Sequence, residues 1–268
     1  MCTATIPRTV PVELAPETFL VTNLAPAGGP FLPVNSVVIR GSEPIVVDTG
    51  APIHRAHWRE QVFSLVEPHD IRWIFLSHDD SDHTGGLADV LAAAPNATLV
   101  TNFFSTERLS LERELPMQRL MWREPGEHFD AGDRRLVLFR PPIFDAPTTR
   151  GLFDTKTGAM WAVDSFAAAT PGAVHFAEDL PREMFDETFA LLNSMLSPWH
   201  EWLDPVAYER HVDTVESLHP TVVASAHGPI LGGHAIHDAF DRVRAMAGQP
   251  RRAGPGQARL DELLAAVR

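Results

Sequence analysis

Cysteine is nearly absent from this 268-residue chain, which holds a single one, Cys2. One thiol excludes an internal disulfide and any thiolate metal cluster, so the fold must rest on its core or on other ligands. Long apolar runs are also missing: none approaches the roughly 20 residues that span a bilayer. The N-terminus has no basic stretch leading into an apolar one, and Pro7 and Pro11 interrupt it, so no signal peptide is expected. Basic charge is in deficit, with 22 Lys and Arg against 35 Asp and Glu and a net charge of −13. That balance argues against nucleic acid or an anionic membrane surface as partner. No internal repeat occurs at solenoid periods. These absences describe a soluble, cytoplasmic protein.

What is present is an ordinary globular composition, 44% hydrophobic, in a length that suits one large α/β domain or two smaller ones. Val- and Ile-rich segments at residues 19–22, 36–40 and 44–47, broken by Gly and Pro, read as an N-terminal β-meander. Trp58, Val62, Phe63 and Val66 share one helical face. Strands are expected at 73–76, 97–101, 135–139, 160–163 and 222–225, and helices at 87–93, 105–120, 182–195, 205–218 and 235–247. Two β-rich blocks, each followed by helices, predict two packed sheets with helices outside. Residues 1–247 form this domain. Residues 248–257 are rich in Pro, Gly and Arg, so 248–268 reads as a linker and a C-terminal helix. Leu260, Leu263, Leu264 and Val267 fall at helical spacing there, which fits docking on the domain or, as the lesser alternative, a homodimer contact.

The run Leu76-Ser77-His78-Asp79-Asp80-Ser81-Asp82-His83-Thr84-Gly85-Gly86 carries the chemistry. It places two imidazoles and three carboxylates in six positions directly after a strand, where a rigid scaffold can present several metal ligands inward. A solvated acidic loop would use similar residues, so the companions matter. Asp48 ends the run Ile45-Val46-Val47, and Asp145 lies in Phe144-Asp145-Ala146-Pro147-Thr148-Thr149. Asp164 ends Met160-Trp161-Ala162-Val163, and His227 follows Val222-Val223-Ala224-Ser225. Singly, each is a turn or cap residue. Their joint occurrence in this order is specific.

In that order the sequence resembles the metallo-β-lactamase fold superfamily over residues 35–227. The resemblance implies a four-layer αββα sandwich and a binuclear metal site. Asp48, His78, Asp82, His83, Asp164 and His227 match the family pattern position by position. Asp80 stands where the hydrolases of the family carry their second motif His, and Asp145 where they carry the next one. A carboxylate at the Asp80 position is similar to the flavodiiron and oxygen-binding di-iron branch, where it is usually Glu. Asn35-Ser36, Asp164-Ser165-Phe166 and Ser225-Ala226-His227-Gly228-Pro229-Ile230 agree with that branch.

The resemblance implies that His78, Asp80 and Asp145 hold one metal, that Asp82, His83 and His227 hold the second, and that Asp164 bridges them. Four carboxylates and three imidazoles bring two divalent ions near neutrality. A hydrolase site with two carboxylates keeps positive charge, which acidifies bound water. Hard oxygen ligands also favour iron or manganese over zinc. The leading reading is thus a di-iron centre that binds or reduces O2 or NO. No flavodoxin-like domain is expected after His227, so turnover needs a separate electron donor or a co-substrate. The alternative is a binuclear hydrolase acting on a lactone, thioester or phosphoester, with Asp82 as the catalytic residue that orients a hydroxide. A third reading is a degenerate member that binds one metal or none and serves in interactions.

Neighbouring residues get plainer assignments. Asp79 is placed outward by strand alternation. Asp154 competes with Asp145 but lacks the Pro-Thr sequence after it. His200 and Trp202 are candidates for the pocket mouth, and Phe103 and Phe104 are expected to pack inside. The other histidines fall on helices or loops and need no metal.

Overall fold

Period-two alternation of apolar side chains sends neighbouring residues of each strand to opposite faces, so a strand apolar on both faces must be covered twice. The computed structural model describes residues 6–265 and shows two sheets covered in this way; Cys2 and Val267 lie outside those residues. The first sheet follows chain order: β1 (Val12–Ala15), β2 (Thr18–Pro26), β3 (Phe31–Ile39), β4 (Ile45–Val47), β5 (Trp73–Phe75), β6 (Thr98–Thr101) and β7 (Leu120–Trp122). β1 to β4 pair antiparallel and β4 to β7 parallel. The second sheet contains β8 (His128–Asp130), β9 (Arg135–Phe139), β10 (Gly151–Asp154), β11 (Ala159–Trp161), β12 (Val222–Ala224) and β13 (Leu231–Gly232), in the order β13-β12-β11-β10-β9-β8. Only β11 and β12 run parallel in it.

Three apolar clusters follow from the alternation. Val37, Ile45, Val47, Phe75, Leu136, Leu138, Leu152, Trp161 and Ala224 meet between the sheets. Their strand neighbours Val38, Val46 and Ile74 point the other way, onto Trp58 and Val62 of α1 (Arg55–Leu65). Two further helices, α2 (Ser81–Thr84) and α3 (Leu87–Ala93), follow the motif loop, and α3 joins that cluster through Leu87 and Val90. Met160 and Val223 point outward from the second sheet. They meet Phe185 and Phe189 of α5 (Arg182–Leu196), Val212 of α6 (Pro205–Glu216) and Phe240 of α7 (His234–Arg244). The expected αββα sandwich is present.

Some local expectations are corrected. The helix expected at 105–120 is α4 (Phe103–Ser110), capped by the Asn102 side chain on the Ser105 amide. Pro116 lacks an amide donor and disfavours helical backbone before it, so the chain passes into β7 instead. Phe103 and Phe104 are 46% and 59% exposed, not buried. They stack edge-on with each other, and Phe103 meets Trp122 in the same way. Residues after α7 cross the end of α5, where the Arg252 amide donates to Ser194 Oγ. The last helix, α8 (Gln257–Ala265), touches the body through Arg259 on the Gly28 carbonyl, and Leu260, Leu263 and Leu264 remain exposed.

The Thr84-Gly85-Gly86 exit locks the motif loop to the turn after β4. The Gly85 amide donates to the Gly50 carbonyl and the Gly86 amide to the Thr49 carbonyl, at 2.7 and 3.0 Å. A Cβ on Gly85 would stand 2.3 Å from the backbone of Ala51 and Pro52. Gly85→Ala is therefore expected to lower stability by about 1–3 kcal/mol in urea unfolding. An unchanged midpoint would show that the two loops separate at no cost.

Candidate metal centre

Strands that end at the same edge of both sheets deliver the polar residues to one place. Asp48 follows β4, residues 78–83 follow β5, Asp145 lies between β9 and β10, Asp164 follows β11 and His227 follows β12. Three sets of side chains have ligand atoms within 4.8 Å of one another: His78, Asp80 and Asp145; Asp82, His83 and His227; and His78, His83 and Asp164. Asp164 lies between the first two sets. Its Oδ1 is 3.3 Å from Nε2 of both His83 and His227, and its Oδ2 is 3.5 Å from Nε2 of His78. Both Asp164 oxygens are buried and make no hydrogen bond. Buried anionic oxygens without donors require a cation. The residues present therefore fit two metal ions with one carboxylate between them.

The imidazoles are oriented from behind. His83 Nδ1 donates to Asp48 Oδ2 at 2.9 Å, and His227 Nδ1 to the Pro33 carbonyl at 2.9 Å, so both Nε2 atoms face the centre. Asp48 is fully buried and also accepts from the Ser77 amide, the Ser77 hydroxyl and Trp161 Nε1, at 2.8, 2.6 and 3.1 Å. Such partners fix ring orientation and raise ligand basicity. Asn35 donates to the carbonyls of Ser225 and Gly228, tying the His227 loop to β3. Asp48, Val163 and Phe166 have φ of 55°, 55° and 68°. For a branched residue such as Val163 that conformation is strained, and it turns the chain so that Asp164 points inward.

Without metal the centre is a set of interlocked charges. Burial opposes ionisation of Asp164, but the imidazoles of His78, His227 and His83 hold its carboxyl well below the usual range. For His83 burial favours the neutral ring, yet Asp48 and Asp164 raise its pKa well above the ordinary value. Burial acts the same way on His227, and Asp164 and Asp82 push it up to about 10. Asp82 is lowered, because His227 and His83 outweigh its desolvation. Asp145 is raised, first by desolvation and then by the Asp164 charge.

The neighbouring candidates are placed as follows. Asp79 does not face solvent: its side chain is 3% exposed, 2.7 Å from Arg108 Nε, and turned away from the centre. Asp154 is held by Arg134 at 2.9 Å on β10 and plays no part here, whereas Asp145 reaches the cavity. His200 is buried against the Ser197 carbonyl and Trp202 is 76% exposed, and neither lines the cavity. That cavity, of about 370 Å³, has the His and Asp residues as its floor and Leu32, Ala167, Leu192, Met195 and Leu196 as walls. The walls and the Trp161 contact to Asp48 were not foreseen. They join residues far apart in sequence, and no local pattern marks them.

Comparison with known proteins agrees with this arrangement. The sequence pattern of the Metallo-beta-lactamase superfamily matches residues 29–185. A Nostoc sp. protein named diflavin flavoprotein A 1 is 28% identical over 204 residues, covering 75% of this chain and 34% of its own length. The chain thus spans about a third of that relative. Among solved structures, the flavodiiron protein from Giardia intestinalis superposes with a TM-score of 0.76 at 17% identity, over 90% of this chain and 60% of its own. The rubredoxin oxygen:oxidoreductase of Desulfovibrio gigas gives 0.75 at 13% identity, over 88% and 61%. At such identities the two structures speak for the fold.

Two outcomes follow from the geometry. With their raised pKa values, protonated His83 and His227 stabilise the metal-free protein fully below about pH 6.5; the His227 contribution is lost as pH rises through about 10, and that of His83 well above its ordinary value. Metal must displace these protons, so loading at pH 7 should release about two per chain and affinity should climb with pH. Calorimetry in buffers of different ionisation enthalpy reads this directly, and no release would mean neutral rings. Asp48→Asn, which touches His83 but no metal position, should weaken metal binding about 10- to 100-fold. Unchanged affinity in a chelator competition would show that Asp48 has no role in orienting His83.

Proposed function

The chain belongs to the metallo-beta-lactamase superfamily, and from that premise we propose that its His/Asp centre holds two iron ions and binds or reduces O2 or NO. The observation that carries this reading is the His78–Asp80–Asp145 set, in which two of three side chains are carboxylates. With Asp82 and Asp164 the centre offers four carboxylates beside three imidazoles, a hard, charge-neutralising shell that favours iron or manganese over zinc. The similarity to a diflavin flavoprotein, and to folds named flavodiiron protein and rubredoxin oxygen:oxidoreductase, supports it.

In this reading His78, Asp80 and Asp145 hold one ion, Asp82, His83 and His227 the other, and Asp164 spans both. Bound iron supplies electrons and open coordination positions for a diatomic gas. Asp164 would lie between the two ions, its backbone fixed by β11 and the turn at Val163. Asp48 holds His83, and the Pro33 carbonyl holds His227, so neither ring rotates when the metal charge changes. Leu32, Leu192 and Leu196 limit water on the open side. Electrons would come from a reduced donor or from a co-substrate. No helix among the described residues is long and apolar enough to cross a membrane.

Protein expressed with iron and purified without air should carry about two irons per chain. Admitting O2 to the ferrous form should produce a near-ultraviolet or visible absorption band. A colourless, zinc-filled protein that ignores O2 and cleaves a thioester or lactone would replace this reading with a hydrolase.

A further inference from the structure

The cavity above the metal centre is larger than a diatomic gas requires. Its volume is about 370 Å³, more than ten times the ~30 Å³ share of one water molecule and within the range of small-organic-molecule sites. The two sides of the cavity differ in chemistry. The floor is the His/Asp cluster. The walls are Leu32 from β3, Ala167 from the loop after β11, and Leu192, Met195 and Leu196 from α5. Residues 192, 195 and 196 fall on one helical face, which places three apolar side chains along the same side. Among the described residues no Phe, Tyr, Trp, Lys or Arg lines the cavity, so its walls offer neither ring stacking nor an ion pair to a distant acid. Met195, 39% exposed, is the most open of the walls, and Gly254 passes so near that a Cβ there would stand 3.1 Å from Met195 Cε.

We propose that this cavity binds a small organic molecule with an oxygen-donor head on the metals and an aliphatic body along Leu192, Met195 and Leu196. The proposal rests on the binuclear metal reading but not on iron or on O2 chemistry. Each of the two sets offers three side chains, and Asp164 lies between them; ions held there would keep coordination positions for one or two oxygens of a head group. The body then lies against the α5 face, where each buried methylene strengthens binding by a constant factor. Room for the body ends at Met195 and the strand of chain above it.

The test uses the full chain loaded with zinc, which binds hydroxamates without redox change, and a series of alkyl hydroxamates from acetohydroxamate to octanohydroxamate. Affinity is expected to rise about threefold to fourfold per methylene and to level off once the chain reaches Met195. Met195→Gln, at a partly exposed position, and Leu192→Ala should flatten the series, with a loss that grows with chain length. An affinity independent of chain length overturns the proposal. So does a slope that both substitutions leave untouched, since the alkyl chain then lies elsewhere. Metal analysis of the same samples separates the two readings. A chain that takes up no metal and binds no hydroxamate ends both, whereas a zinc-loaded chain with a flat series ends this one alone. A steep series beside an O2-inert iron form ends only the O2 reading.

Discussion

A carboxylate buried without hydrogen-bond donors cannot remain ionised unless positive charge is brought to it, and Asp164 imposes that requirement on its surroundings. Both of its oxygens are buried without a hydrogen-bond donor. In the absence of metal, the answer is protonated imidazole, with His83 and His227 held above their ordinary pKa. Two metal ions answer the same need with more charge and shorter contacts. The strand ends, the turn at Val163 and the ring orientations all serve to place cations around this one group. Removing the carboxylate alone would leave imidazoles and acids packed with no common partner, and burial makes such mismatches costly.

Support for the centre is concentrated in Asp48, which is not itself aimed at the metals. It gathers Ser77, His83 and Trp161, and so joins the motif loop, the turn after β4 and the second sheet. The backbone of Asp48 and Val163 sits at positive φ, at a cost on the order of 1–3 kcal/mol each. That strain is sustained by the locked loops around Gly85 and by the apolar clusters on either side of the sheets. Precision at the centre is thus obtained from rigid parts some distance away.

Much of the plan was legible in the sequence. Residues 76–86 could be placed after a strand, and Asp164 and His227 at strand ends, because apolar runs followed by a single polar residue mark such ends locally. Preferring Asp145 to Asp154 followed from the Pro147-Thr148 pattern, and the structure brings Asp145 to the cavity while Arg134 claims Asp154. Alternation turned Asp79 away from the centre, as found, but it could not say that Arg108 waits there to cover it. Phe103 and Phe104 were misplaced: their hydrophobicity argued for burial, but they open α4 at the surface and pack on Trp122. The strands β1, β7, β8, β10 and β13 are two to four residues long. Strands β4, β5, β11 and β12 are as short, but each ends an apolar run in a polar residue, a mark that most of the former lack. The cavity walls were invisible because Leu32 and Met195 meet only through the tertiary fold.

The two sheets are contiguous in sequence: β1 to β7 lie before residue 123 and β8 to β13 after residue 127. The acidic centre is shared across that division. His78, Asp80, Asp82 and His83 belong to the first half, and Asp145, Asp164 and His227 to the second. Each three-residue set around Asp80 or His227 takes two members from one half and one from the other. A nascent chain can thus finish its first half on the ribosome without owning a complete binding site for either ion. Metal uptake would then report that both halves have docked.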